Sequence, residues 1–402
     1  MSKQVKKNLV PVLRFPEFVG NKEWALDELG KYLDYLQPTK YLVSSTVYDD
    51  KFKIPVLTAG KTFILGYTNE NEGIFDKNLP VIIFDDFTTA SKYVDFPFKA
   101  KSSAMKILLA KQNANIKFFY ESMQLIKYQV GVHQRHWISI FSKIDIPVPM
   151  YNEQQKIANC LLSIDDLITE KNQKLEALKI HKKGLMQLLF PAEGEAVPKL
   201  RFPEFQISGN WKLTTFGKMA RFFNGRAYKQ SELLDKGKYR VLRVGNFFSN
   251  NEWYYSDLDL EENRYCDNGD LLYAWSASFG PRIWSGEKVI YHYHIWKIIE
   301  NKNIDKKFLF ILLDYETEKM KSQSANGLGI LHITKKTIEN WKCLLPPIKE
   351  EQQKIANCLS SIDELITIEN QKLEALKSHK KGLIQQLFPV KEKVRWTHEQ
   401  KK

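Results

Sequence analysis

The chain has 402 residues, which is enough for two or three domains with cores of their own, and 43% of the residues are hydrophobic. Its 60 basic and 47 acidic side chains give a formal net charge of +13, which favours a polyanionic partner over a cationic one. No segment is apolar enough for a signal peptide or a membrane span, and the four cysteines include no CxxC pair. We therefore expect a reduced, soluble, cytoplasmic protein.

Residues 11–18, PVLRFPEF, form the first motif of the chain, and they return as PKLRFPEF at 198–205. A tryptophan follows each copy, Trp24 in the first and Trp211 in the second. Each motif precedes a variable stretch and then a long helical segment, which indicates an internal repeat. We predict the first variable domain over 1–152.

The first variable stretch has the pattern of an α+β unit. Apolar runs at 52–60, 79–87 and 103–110 predict strands, and an apolar patch at 118–129 predicts a helix. Residues 88–143 contain nine basic and only two acidic side chains. A basic stretch of this kind indicates contact with a polyanion, although many solvated surfaces also look like this.

Residues 153–191 predict one long helix, because apolar side chains recur at alternating steps of four and three. Charged residues occupy this seam at Lys171 and Lys182. A helix with so narrow an apolar stripe needs a partner. The partner is either the second copy of the helix, which we favour, or the helix's own domain. The predicted seam comprises Ile157, Leu161, Ile164, Ile168, Leu175, Leu178, Leu185 and Leu189.

A short polar linker leads into the second variable domain, and we predict that linker and domain together fill 192–350. Residues 218–243 contain eight basic and two acidic side chains, so each repeat carries a basic stretch. This domain also has an α+β pattern. The strand-like runs are 239–247, 269–277 and 288–299, and the helical run is 308–320.

Residues 351–389 repeat the first helix with 32 of 39 positions identical, which no generic helical bias explains. Glu369 and Lys380 are the charged seam positions, and a basic tail follows at 390–402. The short motifs and the long helices, which we call the frame, are thus repeated closely, whereas the domains between them are not. This contrast suggests that each domain meets a different version of the same kind of target. The second seam comprises Ile355, Leu359, Ile362, Ile366, Leu373, Leu376, Leu383 and Leu387.

Three constellations suggest chemistry, and each has a plainer interpretation. His133 and His136 suggest a metal pair, but no cysteine or carboxylate cluster accompanies them, so a polar cluster is favoured. Asp85–Asp86 is better interpreted as a turn, and His292 and His294 as packing residues of a tyrosine-rich strand. The chain has neither a phosphate-binding G-x-x-x-x-G-K-[ST] loop nor the Asn/Asp-Pro-Pro-aromatic loop of adenine methyltransferases. We predict no catalytic residue and no metal site.

The order of these motifs resembles the specificity subunits of type I restriction-modification systems. The matching pieces are RFPEF followed by Trp, a P-x-P or P-P approach to each helix, the EQQKIA start, and the KLEALK and KKGLxQxLFP segments. The resemblance covers essentially the whole chain and both repeats.

The resemblance implies a fold and a role. The fold is expected to be α+β, with two target recognition domains joined by two long antiparallel coiled-coil helices in a pseudo-twofold internal repeat. Each domain would read one half of a bipartite, gapped sequence in double-stranded DNA, and the helices would set the gap. Two modification (methyltransferase) subunits would bind this chain, and restriction (motor-nuclease) subunits would join them. S-adenosylmethionine would bind the modification subunits, ATP and Mg the restriction subunits, and no cofactor this chain.

Residues that contact DNA are expected in the basic stretches, because phosphates need Lys and Arg while base edges are read by Arg, Lys, Asn, Gln and Ser. Trp275 and Tyr93 are candidates for packing or stacking. The candidates in the first domain are Lys92, Lys99, Lys101, Ser102, Ser103, Gln134 and Arg135. Those in the second are Arg226, Tyr228, Lys229, Arg243, Asn246, Ser276, Ser278 and Arg282.

Two other functions stay open on the sequence alone. A coiled-coil scaffold that joins partner proteins would use the same helices without reading DNA, but the basic stretches and the unlike domains argue against it. A fused restriction-methylation enzyme would need the methyltransferase motifs that are missing. We therefore expect a non-catalytic DNA-recognition subunit.

Overall fold

The structure is a computed structural model that describes residues 9–60, 62–128, 136–248, 250–276, 279–324 and 333–389. It divides into two compact units. The first unit comprises the chain up to Asn172 and the residues from Gln371 onward, and the second unit comprises Gln173–Asn370. Both divisions fall within long helices, so each long helix contributes one half to each unit.

The first unit contains two sheets and a ribbon. Its elements are β1 (Ala25–Glu28), α1 (Leu29–Tyr32), β2 (Leu33–Leu36), β3 (Ile54–Leu57), β4 (Ile64–Thr68), β5 (Val81–Asp85), β6 (Ser91–Val94), β7 (Lys99–Ala100), β8 (Met105–Ala110), α2 (Ile116–Gln124), α3 (His136–Ser139), β9 (Asp145–Val148) and the first half of α4 (Tyr151–Leu189). An antiparallel sheet has the order β2-β8-β5-β6, and a mixed sheet has the order β4-β3-β7. β1 and β9 pair as an antiparallel ribbon.

The apolar run of β5 is continuous because both faces of its sheet are covered. Successive side chains of a strand point to opposite faces. Ile82 and Phe84 accordingly enter a core with α2 and the long helices, and Val81 and Ile83 enter a separate core with the three-stranded sheet. All four side chains are at most 1% exposed.

The second unit has the same kinds of part in the same strand order, with one strand more in its second sheet. Its elements are the second half of α4, β10 (Lys212–Thr215), α5 (Phe216–Met219), β11 (Ala220–Asn224), β12 (Tyr239–Leu242), α6 (Val244–Phe248), β13 (Tyr254–Ser256), β14 (Tyr265–Cys266), β15 (Leu271–Ala274), β16 (Gly280–Ile283), β17 (Val289–Tyr291), β18 (Ile295–Glu300), α7 (Lys306–Ser324), α8 (Lys335–Glu339), β19 (Lys342–Leu345) and α9 (Lys349–Leu387), whose last residues belong to the first unit. The sheets have the orders β11-β18-β15-β16 and β13-β12-β17-β14, and β10 pairs with β19 as a ribbon.

The two long helices pack on each other, as the heptad pattern predicts. In the first unit Ile157 and Leu161 of α4 share a core with Leu387 of α9. In the second unit Leu189 of α4 shares a core with Ile355 of α9. The start of one helix thus meets the end of the other in each unit, which makes the pairing antiparallel. Every predicted seam position is buried or half-buried.

Charged residues at the seam form ion pairs between the helices. In the first unit Lys380 Nζ lies 2.7 Å from Asp165 and 3.0 Å from Glu121 of α2. Burial opposes the charge on Lys380, but its hydrogen bonds to Asp165 and Glu121 outweigh that effect and raise its pKa. In the second unit Lys182 makes the corresponding contact, 2.7 Å from Asp363. The charged interruptions therefore have partners and help to fix the register.

A buried ion pair explains why RFPEF, the tryptophan and the helix start are repeated together. In the first unit the carboxylate of Glu153 accepts hydrogen bonds from Nε and Nη2 of Arg14, both at 2.8 Å, and from Nε1 of Trp24 at 3.2 Å. The second unit repeats this arrangement with the same three distances, through Arg201, Trp211 and Glu351. Bidentate contacts of this kind fix geometry as well as charge.

The next residue of each helix start holds the domain helix. Gln154 Oε1 accepts a hydrogen bond from the backbone N–H of Asn115, the N-cap of α2, at 3.0 Å. In the second unit Gln352 Oε1 accepts from the backbone N–H of Asp305, just before α7, at 2.9 Å. The sequence EQQKIA thus joins the N-terminal motif, the domain helix and the helix pair at one place in each unit.

Several element boundaries differ from the sequence-based expectations. The long helices begin two residues earlier and end two residues earlier than predicted, and the predicted helix at 118–129 is α2, which ends at Gln124. The run 239–247 is a strand only to Leu242 and then forms α6. The run 288–299 is two strands with a turn between them, not one.

Candidate DNA interface

Predicted residues of the second domain converge on the turn between β17 and β18, residues 292–294. The backbone of this turn binds three other segments. Tyr293 N–H donates to the carbonyl of Arg226 at 3.0 Å, and His292 N–H donates to the carbonyl of Leu242 at 2.9 Å. His294 accepts from the N–H of Trp275 at 3.1 Å. Because Arg243 follows Leu242 directly, the turn connects two of the three predicted arginines, Arg226 and Arg243, to the segment of the predicted tryptophan.

Aromatic rings surround the same turn. Tyr228 stacks on His292 with ring centroids 6.4 Å apart, and Trp275 meets His294 at 4.8 Å. Trp275 Nε1 donates to the carbonyl of Tyr293 at 2.7 Å, and the Tyr293 ring itself is 39% exposed. We call this group the turn cluster. It comprises Arg226, Tyr228, Arg243, Trp275, His292, Tyr293 and His294.

The turn cluster holds its central histidine in the neutral form. Burial, and then the neighbouring charges of His294 and Arg243, lower the pKa of His292 to about 4. A neutral imidazole offers one donor and one acceptor at neutral pH. The turn cluster therefore combines cations, exposed aromatic surface and hydrogen-bonding groups, which are the side-chain types that bind phosphates and read base edges.

The sequence reasoning missed three members of this cluster. His292, Tyr293 and His294 were predicted to pack within one continuous strand, but they form a turn. Local sequence gives little sign of it, since the run contains no Gly or Pro, and the turn is held instead by backbone bonds to distant segments such as those of Arg226 and Trp275.

The remaining candidates of the second domain differ in their surroundings. Lys229 and Arg282 are exposed, and Arg282 lies over the Phe247 ring at 5.9 Å. Ser276 is buried, at 8% exposure, so its hydroxyl is not presented at the surface. Ser278 lies outside the described residues.

Both the oxygen and the nitrogen of the Asn246 side-chain amide form hydrogen bonds within the domain. Its Oδ1 accepts from the backbone N–H of Arg243 at 3.2 Å, and its Nδ2 donates to the carbonyls of Asn250 and Glu252 at 3.0 and 2.9 Å. We therefore assign Asn246 to holding the loop after β12, and not to reading a base.

The first domain presents fewer of its predicted residues. Lys92 is exposed on β6, the edge strand of its sheet, and Ser102 and Ser103 are exposed between β7 and β8. Lys101 is half-buried and donates to the hydroxyl of Tyr48 at 3.0 Å. Gln134 and Arg135 lie outside the described residues.

Lys99 does not fit the expectation of a free phosphate-binding cation. It is 3% exposed, and its Nζ lies 2.8 Å from the carboxylate of Glu70. Hydrogen bonding from Lys99, and then from the backbone N–H of Ser45, lowers the pKa of Glu70. The sequence does not reveal that Lys99 is buried in a strand, because a basic composition does not show which lysine has a carboxylate partner.

Tyr93 has a packing role. Its ring lies against Tyr120 with centroids 5.8 Å apart, and Lys117 Nζ lies 4.9 Å over it. Burial raises the pKa of Tyr93 to about 12. The ring borders a cleft of about 530 Å³ that Asn78 also lines.

The polar pairs that suggested metal binding have other roles. His136 is fully buried, with Nδ1 3.0 Å from the carbonyl of Asp86, whose carboxylate accepts from the N–H of Trp137 at 2.8 Å. Asp85 accepts from the N–H of Phe87 at 2.9 Å in the predicted turn. His133 lies outside the described ranges. Among the described residues no three His, Cys, Asp or Glu side chains cluster as a metal site requires, and no described helix is both long and apolar enough to cross a membrane.

Comparisons with known proteins agree with the repeat. A family model described as the type I restriction modification DNA specificity domain matches twice, at residues 19–179 and 208–378. Both matches contain one variable stretch and most of one long helix.

Similar whole proteins show the same relationship. The chain is 32% identical over 369 residues to the Escherichia coli type I restriction enzyme EcoR124I/EcoR124II specificity subunit, covering 85% of this chain and 87% of that protein. It is 30% identical over 275 residues to the Methanocaldococcus jannaschii type I restriction enzyme MjaVIII specificity subunit, covering 64% of each. Among solved structures, the type I restriction-modification S subunit from M. genitalium matches with a TM-score of 0.67 at 17% identity, over 95% of this chain and 100% of that chain.

Proposed function

The chain belongs to the family of type I restriction-modification specificity subunits, and we propose that each of its two variable domains reads one half of a gapped DNA site. The chain itself would then supply recognition only, and the chemistry would come from the subunits that assemble with it.

The observation that supports this proposal most strongly is the contrast between frame and domains. The Arg–Glu–Trp contact, the glutamine at the domain helix and the helix pair recur in both units with distances that agree within 0.1 Å. The domains held by this frame share a strand order but differ in sequence, and the second domain adds β14 to its second sheet. A pair of like frames with unlike surfaces suits a target whose two halves differ in sequence.

The turn cluster supports DNA as that target for the second domain. Its cations and aromatic rings lie side by side at a surface-exposed turn. In the first domain, exposed Lys92 and the serines between β7 and β8 offer similar chemistry with fewer aromatic groups.

The frame implies the partners of the chain. We propose that two modification (methyltransferase) subunits bind it, one for each repeated frame, and that restriction subunits join this complex. S-adenosylmethionine would bind the modification subunits, ATP and Mg²⁺ the restriction subunits, and no cofactor this chain. A repeated binding surface suits two copies of one partner.

A methylation map tests the function. The methylated motifs of the whole genome would be compared in cells with this chain deleted and in cells with it restored. We expect one gapped, asymmetric motif to disappear on deletion and to return on restoration, because recognition resides in this chain. The restored map would also give both half-sites.

Other outcomes would point to the other functions. If every methylated motif persisted after deletion while the chain still copurified with a methyltransferase, the scaffold function would replace the proposal. If the purified chain methylated DNA without any partner, the fused enzyme would replace it.

A further inference from the structure

Arg243 is held in place from both ends. It follows β12 directly, and its backbone N–H donates to Asn246 Oδ1 at 3.2 Å. Its guanidinium lies over the ring of Tyr254, 4.3 Å from the centroid. Tyr254 belongs to β13, which pairs with β12 at Val241. Stacking on an aromatic ring fixes the plane of a guanidinium, so the direction of its N–H groups is fixed as well.

The side chain of Arg243 has donors and no acceptor for them. Within the described part of the chain it makes no side-chain hydrogen bond and no ion pair, and its Nε is buried without a partner. Neighbouring arginines have ion-pair partners, since Nη2 of Arg226 bonds to Glu232 and Arg240 lies 3.1 Å from Glu287, although the Nε of Arg226 is also buried without a partner. Arg243 is half-buried, and its Nη1 and Nη2 groups also have no acceptor in the described part of the chain, so these two groups can donate to a ligand.

The chemistry of the donors narrows the ligand. A guanidinium offers two parallel N–H groups that match a carboxylate, a phosphate or the O6/N7 edge of guanine. Exposed lysines with flexible side chains, such as Lys229, bind phosphates well. A guanidinium whose plane is fixed is better suited to a base edge, because the position and plane of a base edge are also fixed. Arg243 belongs to the turn cluster, whose aromatic rings surround the same turn.

We propose that Arg243 reads one guanine of the half-site recognised by the second domain, through bidentate hydrogen bonds to O6 and N7 in the major groove. This inference rests on the proposed function, since it requires that the second domain binds DNA. It adds a base identity and the residue that selects it.

Single-atom changes in the DNA test this contact. The complex of the full chain with its methyltransferase subunits would be titrated with duplexes that carry the mapped motif. Each guanine of both half-sites would be replaced in turn by 7-deazaguanine, which pairs normally but lacks the N7 acceptor. We expect one replacement to weaken binding of the wild-type complex about fivefold or more, since a bidentate pair of this kind contributes about 10-fold to 100-fold in discrimination.

The substitution Arg243→Met should remove that discrimination. Methionine keeps an unbranched stem but has no N–H donor for N7 or O6, so the normal and 7-deaza duplexes should bind the variant complex equally within about twofold. Lys229→Ala serves as the matched control. It should weaken binding to all duplexes alike and keep the sensitivity to the single guanine.

Three results would overturn the inference and leave the proposed function intact. The first is a wild-type complex that binds the motif specifically but tolerates 7-deazaguanine at every position. The second is a second half-site without a G·C pair, and the third is an Arg243→Met complex that keeps the wild-type sensitivity at the same guanine. A wild-type complex that ignores every base of the mapped motif would instead overturn the proposed function, and this inference with it.

Discussion

Two lysines of the first domain, Lys92 and Lys99, have opposite surroundings although they lie seven residues apart in the same basic stretch. Lys92 is exposed on an edge strand. Lys99 is buried and bonded to the carboxylate of Glu70 at 2.8 Å. A cation that is already neutralised inside the domain cannot also neutralise a phosphate, so we expect different effects when each lysine is replaced.

Lys92→Ala should weaken DNA binding of the assembled complex by a similar factor on all sequences and reduce the salt dependence by about one counterion, with thermal stability unchanged. Lys99→Ala should instead destabilise the chain by about 1–3 kcal/mol, because it leaves the partly buried carboxylate of Glu70 without its cation, with only backbone N–H donors remaining. Salt-dependent binding and thermal unfolding of both variants measure this. A stable Lys99→Ala variant with reduced salt dependence would contradict the assignment.

The histidine at the centre of the turn cluster should make stability depend on pH. Its pKa is about 4 in the folded chain against an ordinary value of 6.5, so between these values the unfolded state binds more protons than the folded state. The stabilisation from His292 is therefore complete above pH 6.5 and is lost as the pH falls toward 4.

We expect the unfolding free energy of the wild-type chain to fall more steeply from pH 6.5 to 4 than that of His292→Gln, which cannot take up this proton. Chemical unfolding at several pH values measures both slopes. Parallel pH profiles for the two chains would show that His292 is not held neutral by the fold.

At the scale of elements, the long helices were the most predictable part of the chain. A heptad repeat is a local pattern, and its burial follows whenever a partner helix is present. The pairing of the two copies, and the burial of Glu369 at a seam position, confirm that interpretation. Leu175 is 5% exposed within this seam, while Ile180 of the same helix is 71% exposed.

Leu175→Ala should destabilise the chain by about 2–5 kcal/mol, because it leaves a cavity between the helices. Ile180→Ala should change stability by no more than about 0.5 kcal/mol, because the side chain already lies in solvent. Thermal or chemical unfolding of the two variants gives a matched comparison within one helix. Equal losses of stability in the two variants would contradict the assignment of Leu175 to the buried seam between the helices.

The strands around the turn cluster were less predictable, for a physical reason. The residues 239–247 and 288–299 have strand propensity throughout, so local sequence favours continuous strands. The chain leaves β12 at Arg243, whose N–H bonds to the nearby side chain of Asn246, and it turns at 292–294, where the distant residues Leu242 and Arg226 accept the backbone bonds. The contacts at 292–294 are set by tertiary structure, so local sequence predicts continuous strands where the chain turns, and the DNA contacts of the site residues stay predictions.

At the scale of the whole molecule, the internal duplication allowed the order of domains and long helices to be predicted from the sequence. Repeated motifs revealed two frames, and the contacts of Glu153 and Glu351 show why those motifs are repeated together. The variable domains offered no such internal comparison, and their strand orders came from the structure alone. Function follows the same division, because partners would meet the repeated frame and DNA the unlike domains.

The most direct test of two independent recognition domains is a methylation map after exchange of one domain. Residues 29–144, which lie between the strands of the β1–β9 ribbon, would be replaced by the corresponding part of a family member with a different mapped motif. We predict a hybrid motif, in which one half-site changes to that of the donor and the other half-site stays as it was. Methylation at a motif in which both halves change, or at the original motif unaltered, would contradict the account.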